Sequence, residues 1–550
     1  MNKRTADALA LASLMALTGL FAWRFVDFGV LPFEDAAMLM RYADHIAHGQ
    51  GIVWNIGEPP VDGATDFLFM VVVALVHRIG FSLEIAVRLI TISSHFITVA
   101  LIYFGMRKVQ NAGIIPAFLS ASYFAIGAGL FLSAAYFGTP FFALAIAVAW
   151  LLAQRLIFSD GGTLFGCVVF SLVCLTAGLI RPEGVMIGVF MLIAVGIVIP
   201  FRAFRQLAMV FGGIFLALGG TYFVWRWNYF GYPLPNPFYK KGGGLLHASA
   251  LRTSIRAGLR LLYVFIPAFL LSVRCKSAFR MGVAFLVPIA GSIGMWVLLS
   301  DEMNFGARFQ YPVLALGALS WFPLVRTLPD DLCLPKFASL ARMQKLAVVL
   351  TAACVLGVVF TQEVRGSAAT YERDGRYDIA VMLSEYADRG YTIATTEAGL
   401  LPLYSRWRAI DTWGLNDQWI AHNGVITQEY LEQREPDIIV FHGFFSPLHP
   451  PSSELSGSSW SRQVLRLQEY AESHNFTLAA VFGVSPEDTH YYYVRADLPE
   501  SEEIVRRIRS TDYVWQGNGR ECENYADLVA PGHMPSSPEA TPADVDTPRP

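Results

Sequence analysis

A series of apolar runs, each long enough to cross a bilayer, most constrains what this chain can fold into. A helix needs about 20 apolar residues to cross the hydrocarbon core. Charged residues make up only 15% of the chain, against about 25% in soluble domains, and they are scarcest in these runs. We therefore predict a polytopic α-helical membrane protein with about 11 transmembrane helices. The predicted spans are 7–23, 85–106, 112–132, 139–157, 163–180, 184–201, 206–225, 258–273, 279–299, 309–325 and 345–361.

Lysine and arginine in the short loops predict the orientation of these spans. Positive loops remain on the cytoplasmic side, and the basic loops here alternate with loops of mixed charge. A cytoplasmic N-terminus places the basic groups inside, at Lys3/Arg4, Arg107/Lys108, Arg202/Arg205, Arg274/Lys276/Arg280 and Lys336/Arg342/Lys345. The loop 24–84 and everything after the last span then lie outside. The short apolar run 67–76 is predicted to be an interfacial or re-entrant helix in that first outer loop.

The sequence after residue 361 has ordinary globular character. Candidate strands alternate with helices, so we predict an extracytoplasmic α/β domain over 362–530 that follows a membrane domain over 1–361. The tail 531–550 is rich in proline, serine and acids, which predicts disorder. The predicted strands are 392–396, 408–412, 437–441, 477–482 and 490–495, and the predicted helices include 378–387 and 463–473.

An acidic pair, Glu34–Asp35, follows the first span directly. Carboxylates there can act as a general base or hold a divalent ion. They can equally stabilise the first turn of a helix through its macrodipole, which is the commoner role of such a pair. The pair by itself does not decide between these roles.

Cations recur in the predicted outer loops, where they are least expected. Arg181 and Glu183 flank a proline at the end of the fifth span, and either form a structural ion pair or face a ligand. Lys240 and Lys241 either reflect a long loop that escapes the charge bias or attract a phosphate. Arg308 begins a span, where it can snorkel to the interface or clamp a phosphate, and Arg88 is interpreted as snorkelling.

Taken in order, these segments resemble bacterial GT-C glycosyltransferases, and among them the mycobacterial-type arabinofuranosyltransferases. The resemblance covers about residues 25–420 and rests on an ordered set of short motifs. They are Glu34-Asp35, Arg41-Tyr-Ala, Gly49-Gln-Gly-Ile-Val-Trp54-Asn55, Asp62-Gly-Ala-Thr65, Arg181-Pro-Glu-Gly184, Tyr229-Phe-Gly-Tyr-Pro-Leu-Pro235-Asn-Pro-Phe-Tyr239-Lys-Lys241 and Gly306-Ala-Arg308-Phe309. The C-terminal segments around Thr396-Glu397 and Asp411-Thr-Trp-Gly-Leu-Asn416-Asp417 also resemble these proteins.

The resemblance implies a membrane enzyme of the bacterial cytoplasmic membrane, active on its outer face. The donor would be a polyprenyl-phosphate sugar and the acceptor an envelope glycan or glycolipid. Asp35 would be the general base, with Glu34 beside it or both holding Mg²⁺ or Mn²⁺. The donor phosphate would be bound by Arg181, Lys240, Lys241 and Arg308. Substrate contacts are expected from Arg41, Trp54, Asn55, Asp62, Glu183, Asn236, Tyr239 and Asp417.

Three departures from the family pattern bear on specificity. The chain has Glu-Asp where relatives often have Asp-Asp, Asp62 where they usually have glutamate, and no glutamate in the segment 135–139. The last departure weakens an assignment to one named sugar, such as arabinose. Trp54, Tyr239 and Trp413 are candidates for stacking on a sugar, although aromatic residues at an interface are more often anchors.

Two other classes of function compete with an enzyme. A transporter or flippase of lipid-linked sugars would need polar residues near the midplane of its spans, and these spans contain few. A non-catalytic protein of envelope assembly would not need the acidic pair. The net charge of −3 gives no reason to expect nucleic acid as a partner, and no glycine-rich nucleotide loop is present.

Overall fold

The computed structural model describes residues 2–328, 373–451, 458–515 and 520–528, which form two compact units. The first unit comprises Met1–Glu372 together with Gly414–His422, and the second comprises Arg373–Trp413 and Asn423–Pro550. The segment Gly414–His422, which the sequence assigned to the C-terminal domain, thus packs with the membrane unit. The predicted span 345–361 and the predicted disordered tail 531–550 lie outside the described residues.

Helices account for most of the first unit. Within residues 2–328 they are α1 (Lys3–Phe25), α2 (Glu34–Ala47), α3 (Phe67–Arg78), α4 (Leu83–Lys108), α5 (Ile114–Ala125), α6 (Gly129–Ala134), α7 (Thr139–Phe158), α8 (Leu164–Ile180), α9 (Glu183–Val198), α10 (Phe201–Ile214), α11 (Gly220–Phe230), α12 (Asn236–Lys240), α13 (Ala248–Leu262), α14 (Ile266–Arg274), α15 (Phe279–Gly294) and α16 (Pro312–Arg326). A π-helical turn, Phe215–Gly219, joins α10 to α11. Further 3₁₀ turns lie at Met295–Val297 and Phe305–Ala307.

Six of the described helical segments are long and apolar enough to cross a membrane. They are Lys3–Phe25, Leu83–Lys108, Ile114–Ala134, Thr139–Phe158, Phe201–Phe230 and Phe279–Val297. The apolar helices α3, α8 and α9 are shorter, with 12, 17 and 16 residues. The chain is therefore a polytopic helical membrane protein, and α3 occupies the position predicted for a short helix in the first loop.

The predicted span 258–273 is broken. Its residues belong to α13 and α14, which meet at an angle of 97°. Pro267 lies in the first turn of α14, and a proline lacks the N–H that a continuous helix would use and clashes with the preceding turn. The two helices form one bent crossing or a re-entrant loop, which apolar length alone could not distinguish.

The helices of the first unit alternate in direction. Asp7, near the start of α1, accepts a 2.7 Å hydrogen bond from Arg107 at the end of α4. Gln110 follows α4 and bonds Gln154 near the end of α7 at 2.8 Å, while Arg326 at the end of α16 donates to the Gln110 carbonyl at 2.9 Å. These ends share one pole of the unit, so the starts of α4, α7 and α16 and the end of α1 share the opposite pole.

Exposed apolar side chains mark the surface that faces lipid. Only 11% of the apolar window in Phe201–Phe230 is buried in the unit, and Leu216 is 80% exposed. Because a bilayer is as apolar as a protein core, a helix with apolar residues on its outer face is stable there. The segment thus contacts lipid over most of its length.

The second unit is built on a mixed sheet. Its strands are β1 (Thr392–Thr395), β2 (Arg408–Asp411), β3 (Ile438–Gly443), β4 (Phe476–Ser485), β5 (Asp488–Arg495), β6 (Val514–Trp515), β7 (Arg520–Glu521) and β8 (Glu523–Asn524). The six-stranded sheet has the order β2-β1-β3-β5-β4-β8, in which β1 is parallel to both neighbours and the other pairs are antiparallel. Strands β6 and β7 pair separately.

The five predicted strands correspond to β1–β5. Apolar and β-branched residues dominate them, and their central positions are buried. Strands β6, β7 and β8 were not predicted, because two residues carry no periodicity. The predicted helices correspond to Gly375–Leu383 and Ser459–Ser473.

Candidate active site

A cavity of about 300 Å³ lies at the pole of the first unit where α7 and α16 begin. Chain ends from many helices converge on it, so side chains distant in sequence face one another. Six charged side chains line it: Asp35, Asp66, Arg181, Glu183, Lys241 and Arg308. Three carboxylates thus face three cations. The remaining lining residues are mainly apolar and include Phe69, Phe137, Trp296 and Phe309.

Asp35 lies in the first turn of α2 and forms an ion pair with Arg308. The Arg308 guanidinium also lies over the Phe137 ring, 4.2 Å from its centroid, and this contact holds the guanidinium against the carboxylate. Burial by itself would raise the pKa of the Asp35 carboxyl, but Arg308 and then Lys241 outweigh burial, so its pKa lies below the ordinary value. Asp35 is therefore a carboxylate at neutral pH.

Arg181 links two further acids of the cavity. Its Nε lies 3.7 Å from Asp66 Oδ1, and its Nη2 donates to Glu183 Oε1 at 3.3 Å. Burial raises the pKa of the Asp66 carboxyl, and Arg181 offsets this only in part. The close packing of α8 against α9 positions the group, since a Cβ on Gly184 would lie 2.3 Å from the Ala177 carbonyl.

Lys241 is the cavity lysine, and Lys240 is not among the residues that line it. The two follow each other at the end of the short helix α12, where successive side chains point in different directions. Among the residues that the structure describes, no carboxylate lies within salt-bridge distance of Lys241. Its charge is thus available to a ligand, whereas the sequence pattern predicts the same role for both lysines.

Several polar atoms of the cavity lining are buried without a hydrogen bond. They are Nε of Arg308, Nε1 of Trp296, Oγ1 of Thr139 and Oε2 of Glu183, for which residues 2–328, 373–451, 458–515 and 520–528 offer no partner. Buried polar groups are almost always satisfied in native proteins, by protein, water or ligand. Donors and an acceptor left without protein partners indicate a site for a ligand that carries anionic or hydroxyl groups.

The residues Arg41, Trp54 and Asn55 have structural contacts and do not line the cavity. Arg41 donates to the Trp54 carbonyl at 2.9 Å and to Asn55 Oδ1 at 3.2 Å, and its guanidinium lies 4.8 Å from the centroid of the Trp54 ring. His45 contacts the Val53 carbonyl at 2.8 Å. These bonds fix the loop after α2 onto the helix that carries Asp35, so the three residues have positioning contacts, and their predicted substrate contact stays a prediction.

Other predicted substrate contacts also hold loops together. Asp62 pairs with Arg226 at 2.6 Å, and its carbonyl accepts a 3.0 Å bond from the backbone N–H of Asn236. The Tyr239 ring lies 4.3 Å from that of His422. Asp417 Oδ1 accepts from the Ile420 N–H at 3.0 Å, which caps a short helix. None of these four, Asp62, Asn236, Tyr239 and Asp417, lines the cavity.

The acidic pair does not fit a metal site as the sequence allowed. Asp35 lines the cavity but its charge is already neutralised by Arg308, with Lys241 nearby, and a cation would have to displace a guanidinium. Glu34 is buried and does not line the cavity. Consecutive residues in a helix diverge by about 100°, so the two carboxylates do not converge on one ion.

Asp66 is the acidic residue that the sequence analysis did not select. It directly follows the motif Asp62-Gly-Ala-Thr65 and precedes α3. The sequence does contain a signal for this residue, because Asp66 directly precedes an apolar helix that is too short to span a membrane. Gly63 brings this loop close to Gly414–His422, since a Cβ there would lie 2.2 Å from Asn416 Oδ1.

Comparison with solved structures places the fold. ArnT from Cupriavidus metallidurans, bound to undecaprenyl phosphate, is 11% identical over 90% of this chain and 99% of its own, with a TM-score of 0.53. The apo state of the same protein gives 13% identity and a TM-score of 0.54 over the same shares. The chain has a GT-C-like fold.

Two further matches are weaker. The Archaeoglobus fulgidus oligosaccharyltransferase is 14% identical over 88% of this chain and 73% of its own, with a TM-score of 0.48. The mycobacterial arabinofuranosyltransferase AftD is 14% identical over 90% of this chain and 40% of its own, with a TM-score of 0.49.

Sequence comparison adds little about activity. A family model described as a domain of unknown function, DUF8728, matches residues 362–495. No curated protein matches the chain. The GT-C-like fold, with its C-terminal sheet domain, agrees with the class expected from the sequence, and the activity has to be argued from the cavity.

Proposed function

We propose that this protein is a membrane glycosyltransferase that moves a sugar from a polyprenyl-phosphate donor to an envelope glycan or glycolipid. The observation that carries the proposal is the cavity, in which Asp35 faces Arg181, Lys241 and Arg308 within a membrane unit of GT-C-like fold. A base beside a cluster of cations suits a reaction in which a hydroxyl is deprotonated and a phosphate departs.

A lipid-linked donor suits the position of this site. The cavity lies among helix ends, so a polyprenyl tail can remain in the bilayer while its phosphate and sugar enter. ArnT, which shares the fold, was solved with undecaprenyl phosphate bound. Lys241 and the unsatisfied Nε of Arg308 provide donors for the phosphate, and the aromatic residues Trp296 and Phe309, stacked at 4.5 Å, provide an apolar wall.

The proposed reaction is a single displacement with inversion. The acceptor oxygen attacks the anomeric carbon of the donor sugar while the bond from that carbon to the phosphate oxygen breaks. The electron pair of this bond stays on the phosphate, where the cations stabilise it. The acceptor proton passes to Asp35, a step that typically contributes 10²–10⁴-fold in rate.

Donor binding would also activate the base. In the structure Arg308 lowers the pKa of Asp35 by pairing with it, which makes the carboxylate a weak base. A donor phosphate competes for the same guanidinium. When Arg308 turns toward the phosphate, it no longer offsets the effect of burial on Asp35. The pKa of Asp35 then rises toward the range that a general base needs.

The remaining assignments belong to the same proposal. The basic helix ends lie at the pole opposite the cavity, so the positive-inside rule supports an extracytoplasmic cavity, as in the inner membrane of a bacterium. Glu183 and Asp66 are placed to accept hydrogen bonds from sugar or acceptor hydroxyls. A pentofuranose such as arabinose is the first donor sugar to test.

The experiment compares two pairs of variants of the purified protein in proteoliposomes. Transfer from a panel of radiolabelled polyprenyl-phosphate sugars is measured as loss of label from the lipid. Asp35→Asn should lower kcat about 10²–10⁴-fold with donor binding retained. Asp44→Asn, on the same helix but outside the cavity, should keep wild-type turnover.

The second pair tests the phosphate site. Lys241→Gln should raise the KM for the donor about 10- to 100-fold, as expected for one lost charged hydrogen bond, while Lys240→Gln should change it little. Full turnover in a well-folded Asp35→Asn protein would refute the base. Movement of labelled donor across the membrane without transfer would favour a flippase, and equal effects of the two lysine variants would refute the phosphate site.

A further inference from the structure

A second cluster of polar residues lies in the C-terminal unit and shares no residue with the cavity. Glu397 follows β1, His442 belongs to β3, and His490 belongs to β5. These strands are neighbours in the sheet, and His442 and His490 are direct partners across the antiparallel pair. Cross-strand partners project from the same face. One ligand atom from each of the three residues lies within 4.8 Å of the others.

The buried imidazole of His490 has one nitrogen committed and one open. Its Nδ1 contacts the Tyr513 hydroxyl at 2.7 Å, while its Nε2 lies 3.8 Å from Glu397 Oε2 and has no hydrogen-bond partner in the described part of the chain. His490 is only 2% exposed. Leaving such an atom unsatisfied is costly, so a ligand that uses its lone pair would stabilise the unit.

Residues around the cluster would orient the three ligands. Asp488 Oδ1 contacts His442 Nε2 at 2.6 Å, and Arg376 bonds both Glu397 and Asp374. Carboxylates that hydrogen-bond a ligating imidazole, and donors that hold a ligating carboxylate, are the usual surroundings of protein metal sites. The Trp515 ring stacks on His490 at 4.1 Å and closes one side.

We propose that Glu397, His442 and His490 form a binding site for a transition-metal dication, with Zn²⁺ as the expected ion. Two imidazoles and a carboxylate are a ligand set that Zn²⁺ favours, whereas Mg²⁺ and Ca²⁺ prefer oxygen ligands. A solvent oxygen would complete the coordination. The ion would join β1, β3 and β5 and so stabilise the sheet unit, independently of the activity proposed for the cavity.

The test uses the full chain, purified in detergent, stripped with chelator and dialysed against ZnCl₂ alone. The wild-type protein should retain about one zinc per chain and should melt at a higher temperature with zinc than without it. His490→Asn and His442→Asn should each lose the bound zinc and the zinc-dependent shift. Asp488→Asn should weaken binding about 10- to 100-fold, as expected for an orienting carboxylate.

Two controls separate this site from adventitious binding. His449→Asn alters a half-exposed histidine of the same unit, and His77→Asn disrupts the exposed cluster of Asp44, His48 and His77 in the first unit. Both variants should bind zinc as the wild type does. Absence of zinc from the wild type, or retention in His442→Asn with loss in His77→Asn, would overturn the proposal. Because His442 is partly exposed, its variant decides the matter even where His490→Asn does not fold.

Discussion

The ion pair between Asp35 and Arg308 predicts that their substitutions will not be additive in stability. The two side chains are 19% and 8% exposed. Removing one partner of a buried pair typically costs about 3–5 kcal/mol, because the other charge stays behind without compensation. Asp35→Asn would leave three cations of the cavity facing two carboxylates. Arg308→Gln would leave two cations facing three carboxylates.

The double variant restores the balance at two charges of each sign. We therefore expect each single variant to cost about 3 kcal/mol and the double variant to cost no more than either, a coupling of about 3 kcal/mol. With an unfolding entropy of about 2.1 cal/mol/K per residue, 3 kcal/mol in a unit of this size corresponds to a Tm lower by roughly 3–5 °C.

Thermal unfolding in detergent, followed by intrinsic fluorescence at pH 7.5, measures these shifts. Since membrane proteins often unfold irreversibly, all four proteins are heated at one scan rate. The exposed pair Arg373–Asp512, with side chains 56% and 66% exposed, is the matched control, and its variants should change stability by less than about 0.5 kcal/mol. If the double variant at the cavity loses the sum of the two single losses, the pair is not coupled and the charge balance described here is wrong.

Three further predictions concern the scaffold of the cavity. Gly63→Ala should lower the free energy of unfolding by about 1–3 kcal/mol, because the new Cβ would lie 2.2 Å from the side-chain amide oxygen of Asn416. The control Gly212→Ala places its Cβ in open space and should not destabilise the protein. Thermal melting of the two variants and the wild type measures both effects. Asp66→Asn should raise the Tm at pH 7.5, because the pKa of Asp66 is raised in the fold and its ionised form therefore lowers stability. The increase in Tm should become smaller as the pH falls through that pKa. An increase in Tm that grows toward low pH would contradict a raised pKa. Arg41→Met should lower stability by about 1–3 kcal/mol and leave the donor KM unchanged, and a selective rise in KM would return Arg41 to substrate binding.

The pH dependence of Asp35 has the opposite sign to that of Asp66. Its pKa is lowered in the fold, so its contribution to stability is complete above the ordinary value of 3.8 and is lost as the pH falls through the lowered value. The cavity thus contains one carboxyl group, that of Asp35, whose pKa is lowered in the fold and another, that of Asp66, whose pKa is raised. Pairs of acids whose environments separate their pKa values are typical of active sites.

The membrane class of the chain, six of the eleven predicted spans and the strands β1–β5 follow from local patterns in the sequence. Apolar length and period-2 alternation are local properties, and a helix or strand forms wherever they persist. The sequence also placed Asp35, Arg181 and Arg308 at span ends on one side, because alternation of spans fixes which loops share a face. The break between α13 and α14 could have been read from Pro267, and it was not.

Only the tertiary structure decided which side chains meet. Lys241 lines the cavity and Lys240 does not, and this depends on the direction in which a short helix enters. Arg41, Trp54 and Asn55 contact one another, which motif order cannot reveal. His442 and His490 become neighbours only because β3 pairs with β5 in a defined register. The physical reason is the same in each case: side-chain direction and long-range pairing are set by packing of the whole unit, and no local pattern of residues encodes them.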